Sequence, residues 1–418
     1  LRGGRFRSRG RLARLTPLAA AAAVITVLAV AALAGTVAVA HGRAGHGTAA
    51  RHHQESLLAQ LPAYYVALGR ADSSRPSLGR LDQPRYAQVR ATATGKVLAT
   101  VRPPRPYDTF SEVSAAADVH TFVLVASRWR KKSLGTGAEW ITTANQFFRL
   151  RIDPAAGTAR LTALSIPQAS FRNGEGFAVS PDGTKLAVAQ RLSMVAPANP
   201  EIQVYDLATG TRKAWTWPGG GAVTNNAGGQ GQVLSWARDG TLAFQQWAGN
   251  SIEVRLLDTN GPGGSLKTDS RLAVDWAGDA ESFRFSHGRA ANVISGYSAL
   301  LTLDGTKIIC ATTTETKHPL TSVLSFTEFS ARTGRVVRQL GSWTITGLYP
   351  GQTQDVLWAN PSGSALIVMA HRPGVVPVPF HHGDSADYSL VISAVSQNKF
   401  IPLTGTPAGN GLDPWPTW

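Results

Sequence analysis

Two short turn phrases alternate along this chain at a long, nearly regular spacing. The first is Ser180-Pro181-Asp182-Gly183-Thr184, which lies between two short apolar runs. It recurs at Ala237-Arg238-Asp239-Gly240-Thr241, at Thr302-Leu303-Asp304-Gly305-Thr306 and, in weaker form, at Asn360-Pro361-Ser362-Gly363-Ser364. The second phrase occurs as Ala93-Thr94-Gly95-Lys96, Ala155-Ala156-Gly157-Thr158, Ala208-Thr209-Gly210-Thr211 and Arg332-Thr333-Gly334-Arg335. The first phrase centres on Asp-Gly and the second on Thr-Gly or a similar pair, which are dipeptides that close β-hairpins. The alternation of the two phrases therefore indicates a repeated unit of four antiparallel strands.

The unit is clearest in residues 176–218, where four apolar runs are separated by the two turns and one loop. The same order fits residues 111–164, 232–274, 297–343 and 356–403, whereas residues 64–102 lack a first strand. We therefore predict an all-β fold, a six-bladed β-propeller of four-stranded antiparallel blades. A further hairpin in residues 281–296 would make seven blades. We expect the incomplete first blade to pair with a carboxyl-terminal strand, because closure removes exposed edges.

The amino-terminal segment predicts a membrane anchor. Residues 17–40 carry no charged side chain and are long enough for a helix to cross a bilayer. Six arginines precede them, so residues 1–16 should be a basic cytoplasmic segment and the rest extracytoplasmic. Residues 41–62 are polar and rich in histidine, typical of a flexible stalk, and residues 63–418 form the propeller. The alternative is a signal peptide cleaved near Ala40, which would release a secreted protein.

Residues 177–217 resemble the WD40-like blades of TolB-type propellers in Ser180-Pro181-Asp182-Gly183 and Val204-Tyr205-Asp206-Leu207-Ala208-Thr209-Gly210. Over most of its length the chain also resembles single-pass membrane proteins of high-GC Gram-positive bacteria. That resemblance is carried by Tyr64-Tyr65-Val66-Ala67-Leu68, Phe147-Phe148-Arg149-Leu150, Ala243-Phe244-Gln245-Gln246-Trp247 and Gly351-Gln352-Thr353-Gln354-Asp355-Val356-Leu357-Trp358. It implies a propeller ectodomain at a membrane and brings no established activity.

Several function classes have no support in the sequence. The chain has no GxSxG elbow, HExxH helix or phosphate-binding loop, so we assign no catalytic residue and no cofactor. Its one cysteine, Cys310, lies in an apolar run and is expected to be a buried strand residue. The net charge of +15 fits a surface near anionic lipid or wall polymer, and nucleic-acid binding is not expected. We expect a monomer and no metal site.

Propeller geometry divides the connections between two ends of the molecule. The tight turns all fall at one end, the turn end, and the long connections, including residues 128–146, at the other, the loop end. The first candidate site there would bind an anionic polymer, unless it is only a solvated loop: Arg128, Trp129, Arg130, Lys131, Lys132 and Trp140. The second would bind a small polar ligand or only pair neighbouring blades: Tyr107, Asp108, Tyr349, Gln354 and Asp355.

These features together favour a membrane-anchored extracytoplasmic propeller that binds a surface protein or a wall-associated ligand. The alternative is a propeller hydrolase or lyase with its site at the loop-rich mouth of the channel.

Overall fold

A computed structural model describes residues 24–25, 61–70, 85–134, 137–154, 156–166, 176–191, 200–218, 234–248, 251–275, 293–317, 320–346, 357–359, 365–371, 388–394 and 399–402. Within these ranges the secondary structure is almost entirely β-strand. The exception there is the short helix α1 (Leu266–Asp269), whose N-cap Ser265 accepts a hydrogen bond from the backbone N–H of Lys267.

The described strands form six sheets, and successive strands of each sheet pair antiparallel in chain order. The first sheet contains β2 (Tyr64–Arg70), β3 (Arg85–Ala91) and β4 (Val97–Val101), and a two-residue strand β1 (Val24–Ile25) precedes it in the chain. The second contains β5 (Thr109–Ala115), β6 (Thr121–Leu134), β7 (Gly137–Asp153) and β8 (Thr158–Ala163). The third contains β9 (Phe177–Val179), β10 (Lys185–Arg191), β11 (Pro200–Asp206) and β12 (Arg212–Thr216).

The remaining three sheets repeat the four-stranded pattern. The fourth contains β13 (Leu234–Trp236), β14 (Thr241–Ala248), β15 (Ser251–Asp258) and β17 (Ser270–Asp275); β16 (Gly264–Ser265) pairs parallel with β12 instead. The fifth contains β18 (Val293–Leu301), β19 (Lys307–Lys317), β20 (Leu320–Ser330) and β21 (Val336–Thr346). The sixth contains β22 (Leu357–Ala359), β23 (Ala365–His371), β24 (Tyr388–Ala394) and β25 (Lys399–Pro402). The predicted strand order is confirmed for the described strands, of which the first sheet has three.

One predicted loop is wrong. Residues 128–146, expected to connect two strands, are mostly strand themselves, because β6 and β7 continue pairing as far as Leu134 and Gly137. Polar and charged residues occupy this stretch, so it has no apolar alternation that would reveal a strand. The backbone N–H and carbonyl groups of β6 and β7 bond to each other along this stretch and form the hairpin whatever the side chains are.

The sheets are arranged around a common centre. The first strand of each sheet contacts the first strand of the next, in the order β2, β5, β9, β13, β18, β22. Apolar side chains fill the spaces between successive sheets, and each of the four described core clusters joins two neighbouring sheets. Sheets packed face to face with their first strands innermost are the arrangement of a β-propeller.

A repeated hydrogen bond joins the innermost strands. Its donor lies three residues before the turn aspartate of one sheet, and its acceptor lies four residues before the aspartate of the preceding sheet. The three examples are Val179 N–H to Ser114 Oγ at 3.1 Å, Trp236 Nε1–H to Ala178 O at 3.0 Å and Leu301 N–H to Ser235 Oγ at 2.8 Å. These bonds satisfy polar groups that the next sheet buries.

The turn aspartates act through their carboxylates, as their position before glycine predicts. Asp304 accepts hydrogen bonds from the hydroxyls of Thr302 and Thr306 and from the backbone N–H of Thr306. Asp182 does the same with Ser180 and Thr184. Gly305 follows at a φ of 69°, a backbone region that favours glycine. The turn at residues 360–364 lies outside the described residues.

The second sheet contains the same turn without its glycine. Asp118 accepts hydrogen bonds from the backbone N–H groups of His120 and Thr121 and from the hydroxyl of Thr121. The next residue is Val119, at a φ of 53°. A β-branched residue in the left-handed region is strained. Because glycine was the signal for this turn, the sequence pattern did not reveal the copy at Asp118.

The predicted membrane helix falls largely outside the described residues. Its two described residues, Val24 and Ile25, are extended, because they pair antiparallel with Arg160 and Ala159 of β8. No helix in the described parts of the chain is long and apolar enough to span a membrane. The cytoplasmic segment, residues 1–16, and nearly all of the stalk also lie outside them.

Replacing Val119 by glycine should stabilise the protein. The Val119→Gly variant relieves the strained φ, and we expect the free energy of unfolding to rise by about 1 kcal/mol. Chemical unfolding of the purified full chain measures this. The control is Val97→Gly, in β4, where the extended backbone needs no glycine and the substitution should be destabilising. A lower free energy of unfolding in Val119→Gly would contradict the inference that Val119 is strained at its φ of 53°.

Acid should remove the contribution of the turn aspartates. The hydrogen bonds of Thr302 and Thr306 lower the pKa of Asp304. At Asp182 burial raises the pKa, but hydrogen bonds from Ser180 and Thr184 outweigh burial and lower it overall. A lowered folded pKa stabilises the fold above the unfolded pKa of about 3.9, and this is lost as the pH falls through the folded value. The difference in unfolding temperature between the natural chain and Asp182→Asn/Asp304→Asn should therefore shrink below about pH 4. A difference independent of pH would contradict this.

Candidate functional site

The hairpin of β6 and β7 projects beyond its own sheet at the loop end. Its strands have 14 and 17 residues, against 7 each for the equivalent β10 and β11 of the third sheet. Strand β5 pairs with β6 only as far as Ser127, and β8 pairs with β7 only from Phe148. Residues 128–134 and 137–144 therefore pair only with each other among the described strands. We call these two segments the arm.

The arm brings together the first predicted candidate site. From the register, positions 129, 131 and 140 lie on one face of the arm. Positions 130, 132 and 139 lie on the other face. Arg130 is exposed, and Arg128 and Trp129 are half-buried. The pairing therefore brings the sequence positions of the first candidate site together on one two-stranded hairpin.

Asp108 holds the base of the arm. The pairing of β6 and β7 shifts between Arg128 and Trp129, which is a bulge that redirects the hairpin. The Asp108 carboxylate accepts a hydrogen bond from the backbone N–H of Trp129 at 3.1 Å. The backbone N–H of Asp108 donates to the carbonyl oxygen of Ser127 at 3.0 Å. Asp108 was predicted as a ligand-binding residue, and its observed contacts position the arm.

Trp129 also carries a polar group without a partner. Its indole N–H is buried at the base of the arm and has no acceptor among the described residues. A buried donor usually has an acceptor, supplied by protein, ordered water or a ligand.

Tyr107, the neighbour of Asp108, packs edge-on against Phe148 with ring centres 5.8 Å apart. Tyr107 therefore supports the hairpin from the side.

The other predicted site residues cannot be placed with the arm. Tyr349, Gln354 and Asp355 lie outside the described residues. In the part of the chain that the structure describes, no three His, Cys, Asp or Glu side chains come close enough to hold a metal ion. Cys310 is buried, and burial raises the pKa of its thiol well above the ordinary value, as expected for a core residue.

A groove lies at the turn end, where no motif in the sequence predicts a site. It lies between the turns of the third and fourth sheets and has a volume of about 440 Å³. The residues that shape it are Pro181, Asp182, Lys185, Arg238, Asp239 and Asn260. The signal was Pro181, which occupies the position before the turn aspartate where the second, fourth and fifth sheets have Ala117, Arg238 and Leu303. Its consequence needs the three-dimensional arrangement of two neighbouring turns.

Comparison with known proteins gives no family. No family model and no curated protein matches the sequence. Among solved structures, the chain is similar to a protein from Lactobacillus plantarum, with 10% identity over 83% of this chain and 98% of that chain and a TM-score of 0.36. It is also similar to the β-propeller domain of the Trilobed protease from Pyrococcus furiosus, with 13% identity over 72% of each chain and a TM-score of 0.34.

A third similar structure is a prolyl endopeptidase, with 13% identity over 86% of this chain and a TM-score of 0.37. This chain spans about half the length of that enzyme, 54% of it. TM-scores of this size do not decide a fold. The propeller assignment rests on the contacts and hydrogen bonds between successive sheets.

Removing the Asp108 carboxylate should loosen the arm. In Asp108→Ala the N–H of Trp129 loses its acceptor, so amide exchange in residues 128–134 should accelerate about tenfold, equivalent to roughly 1.4 kcal/mol. Hydrogen–deuterium exchange with mass spectrometry measures this. The matched control is Asp153→Ala at the other end of β7, where the carboxylate accepts from the N–H of Ala156. Unchanged exchange in Asp108→Ala would show that the arm does not depend on this contact.

Proposed function

We propose that the chain is a membrane-anchored extracytoplasmic propeller whose arm binds an anionic partner at the cell surface. The observation that carries the proposal is the projecting arm, which holds four cationic residues and two tryptophans on two strands. Cationic side chains attract carboxylate and phosphate groups, and tryptophan adds contact area and cation–π binding. A rigid scaffold with one elongated, functionally decorated connection is typical of binding domains.

The propeller is proposed to have six blades and to close between its first and last sheets. One face of the first sheet packs against the second sheet through Tyr64, Val66 and Leu68. The opposite face is also buried, with Tyr65 0% exposed and Ala67 2% exposed. Burial raises the pKa of Tyr65 to about 12, against the opposing influence of Arg90. A covered second face is what ring closure requires of a terminal blade.

The anchor is proposed from the sequence alone, because the two described residues of this segment, Val24 and Ile25, are extended and pair with β8. Residues 17–40 are uncharged and long enough to cross a bilayer, and the arginines before them favour a cytoplasmic amino terminus. Residues 41–62 would hold the propeller away from the lipid. Tethering concentrates the arm at the surface, so a modest affinity for a surface protein or a wall-associated polymer suffices for function.

Photo-crosslinking from the arm tests the binding function. A photoreactive amino acid at Trp140 of the full-length chain, expressed in its own host, should capture a specific partner identified by mass spectrometry. Cosedimentation of the purified full chain with isolated cell walls would detect binding to a wall polymer. Both signals should fall at least about tenfold in Arg130→Glu/Lys132→Glu, because the reversed charges repel an anionic partner.

The matched control reverses two charges at the turn end. Arg332 and Arg335 are exposed and flank a tight turn, so Arg332→Glu/Arg335→Glu changes the net charge equally at a distance from the arm. We expect that variant to retain binding. Equal losses in both variants would mean nonspecific charge attraction. No capture by a folded, surface-exposed chain would overturn the binding function and favour the hydrolase or lyase alternative.

A further inference from the structure

The joint between the third and fourth sheets lacks a hydrogen bond that its neighbours have. Between the second and third sheets, the N–H of Ala117 donates to the carbonyl oxygen of Pro181 at 3.0 Å and links the turns of the two sheets. At the joint of the fourth and fifth sheets, the N–H of Arg238 donates to the carbonyl oxygen of Leu303 at 2.8 Å. The equivalent donor between the third and fourth sheets would be residue 181. Proline has no N–H, so this link cannot form.

The groove of about 440 Å³ lies at this unlinked joint. Two acceptors there are left with spare capacity. The carbonyl oxygen of Arg238 has no donor among the described residues, since Pro181 cannot supply one. The Asp239 carboxylate accepts only one hydrogen bond from described residues, from the backbone N–H of Thr241 at 2.9 Å. The equivalent Asp304 accepts three, two of them from hydroxyls.

The sequence explains the difference between the two aspartates. Ala237 stands where the turns of the third and fifth sheets have the hydroxyl residues Ser180 and Thr302, so Asp239 loses one donor from its own turn. Asp239 is also exposed at the groove. A carboxylate with one donor and a carbonyl oxygen with none among the described residues favour a ligand that carries an ammonium group.

The same groove offers positive charge. The side chain of Arg238 is exposed and has no acceptor among the described residues. The ammonium of Lys185 also lines the groove, where it donates to Asn260 Oδ1 at 3.4 Å, and Asn260 Nδ2 in turn donates to the carbonyl oxygen of Asp239 at 3.0 Å. A guanidinium next to a donor-poor carboxylate suits a ligand with both charges, because each charge meets its opposite.

We propose that this groove binds a free α-amino acid. The ammonium of the ligand would bind the Asp239 carboxylate and the Arg238 carbonyl oxygen, in the place where an N–H of residue 181 would otherwise lie. The carboxylate of the ligand would bind the Arg238 guanidinium. The volume accommodates a small molecule of this size. This site lies at the turn end, opposite the arm, and is independent of the arm's function.

The experiment measures binding of the twenty common α-amino acids, one at a time, to the purified full chain in detergent by isothermal titration calorimetry. At least one should bind saturably. Its N-acetyl and its carboxamide derivatives, each lacking one charge, should bind at least about tenfold more weakly. Asp239→Asn should weaken binding to a similar extent. Pro181→Ala should also weaken binding, because the restored N–H of residue 181 would donate to the Arg238 carbonyl oxygen in place of the ligand.

Asp304→Asn is the matched control, since it makes the same change in an equivalent turn at a linked joint. It should leave the affinity within about twofold. Arg130→Glu/Lys132→Glu, in the arm, should also leave it unchanged, which separates this site from the proposed surface-binding function. Saturable binding by none of the twenty, undiminished binding of an N-acetyl derivative, or natural affinity in both Asp239→Asn and Pro181→Ala would overturn the proposal.

Discussion

The hydrogen bond between innermost strands is the interaction on which the rest of the structure depends. The first strands of the third and fourth sheets have only three residues each, so they have few ladder bonds of their own. The bonds from Val179 N–H to Ser114 Oγ and from Trp236 Nε1–H to Ala178 O join these two short strands to the preceding sheets. A buried N–H without such an acceptor would cost about 1–3 kcal/mol. In all three examples the donor and the acceptor lie at the same distances in sequence from their turn aspartates. The bond therefore aligns the innermost strand of each sheet with that of the preceding sheet.

This constraint explains why the two ends of the molecule differ. At the turn end, Asp182 and Asp304 bind their own turn residues, and bonds such as Ala117 N–H to Pro181 O tie neighbouring turns together. Changes there disturb two sheets at once. At the loop end the Arg85 N–H donates to Thr109 Oγ1 and joins the first and second sheets, but β6 and β7 continue past Ser127 without pairing with any other described strand, so this hairpin can lengthen without affecting the neighbouring sheets. Elaboration is therefore concentrated where the architecture tolerates it.

Pro181 and Val119 show how single residues alter a repeated design. Proline removes a donor, so the backbone hydrogen bond that joins neighbouring turns elsewhere is absent between the third and fourth sheets, where a groove lies. Valine keeps the turn of the second sheet but holds a φ of 53°, because the carboxylate of Asp118 and the surrounding sheet determine the backbone. In the first case the deviation creates a surface feature, and in the second it is absorbed as strain.

The sequence by itself determined the all-β repeat, the order of strands in each sheet and the turn end, because Asp-Gly and Thr-Gly turns between apolar runs are local signals. It also identified the arginines, lysines and tryptophans near residue 130, but as a loop. Only the tertiary structure decided that this stretch is a paired arm held by Asp108, and that Pro181 leaves a groove beside Asp239. Both depend on which backbone groups of distant residues meet, and the pairing of a polar strand leaves no periodic signal in the chain.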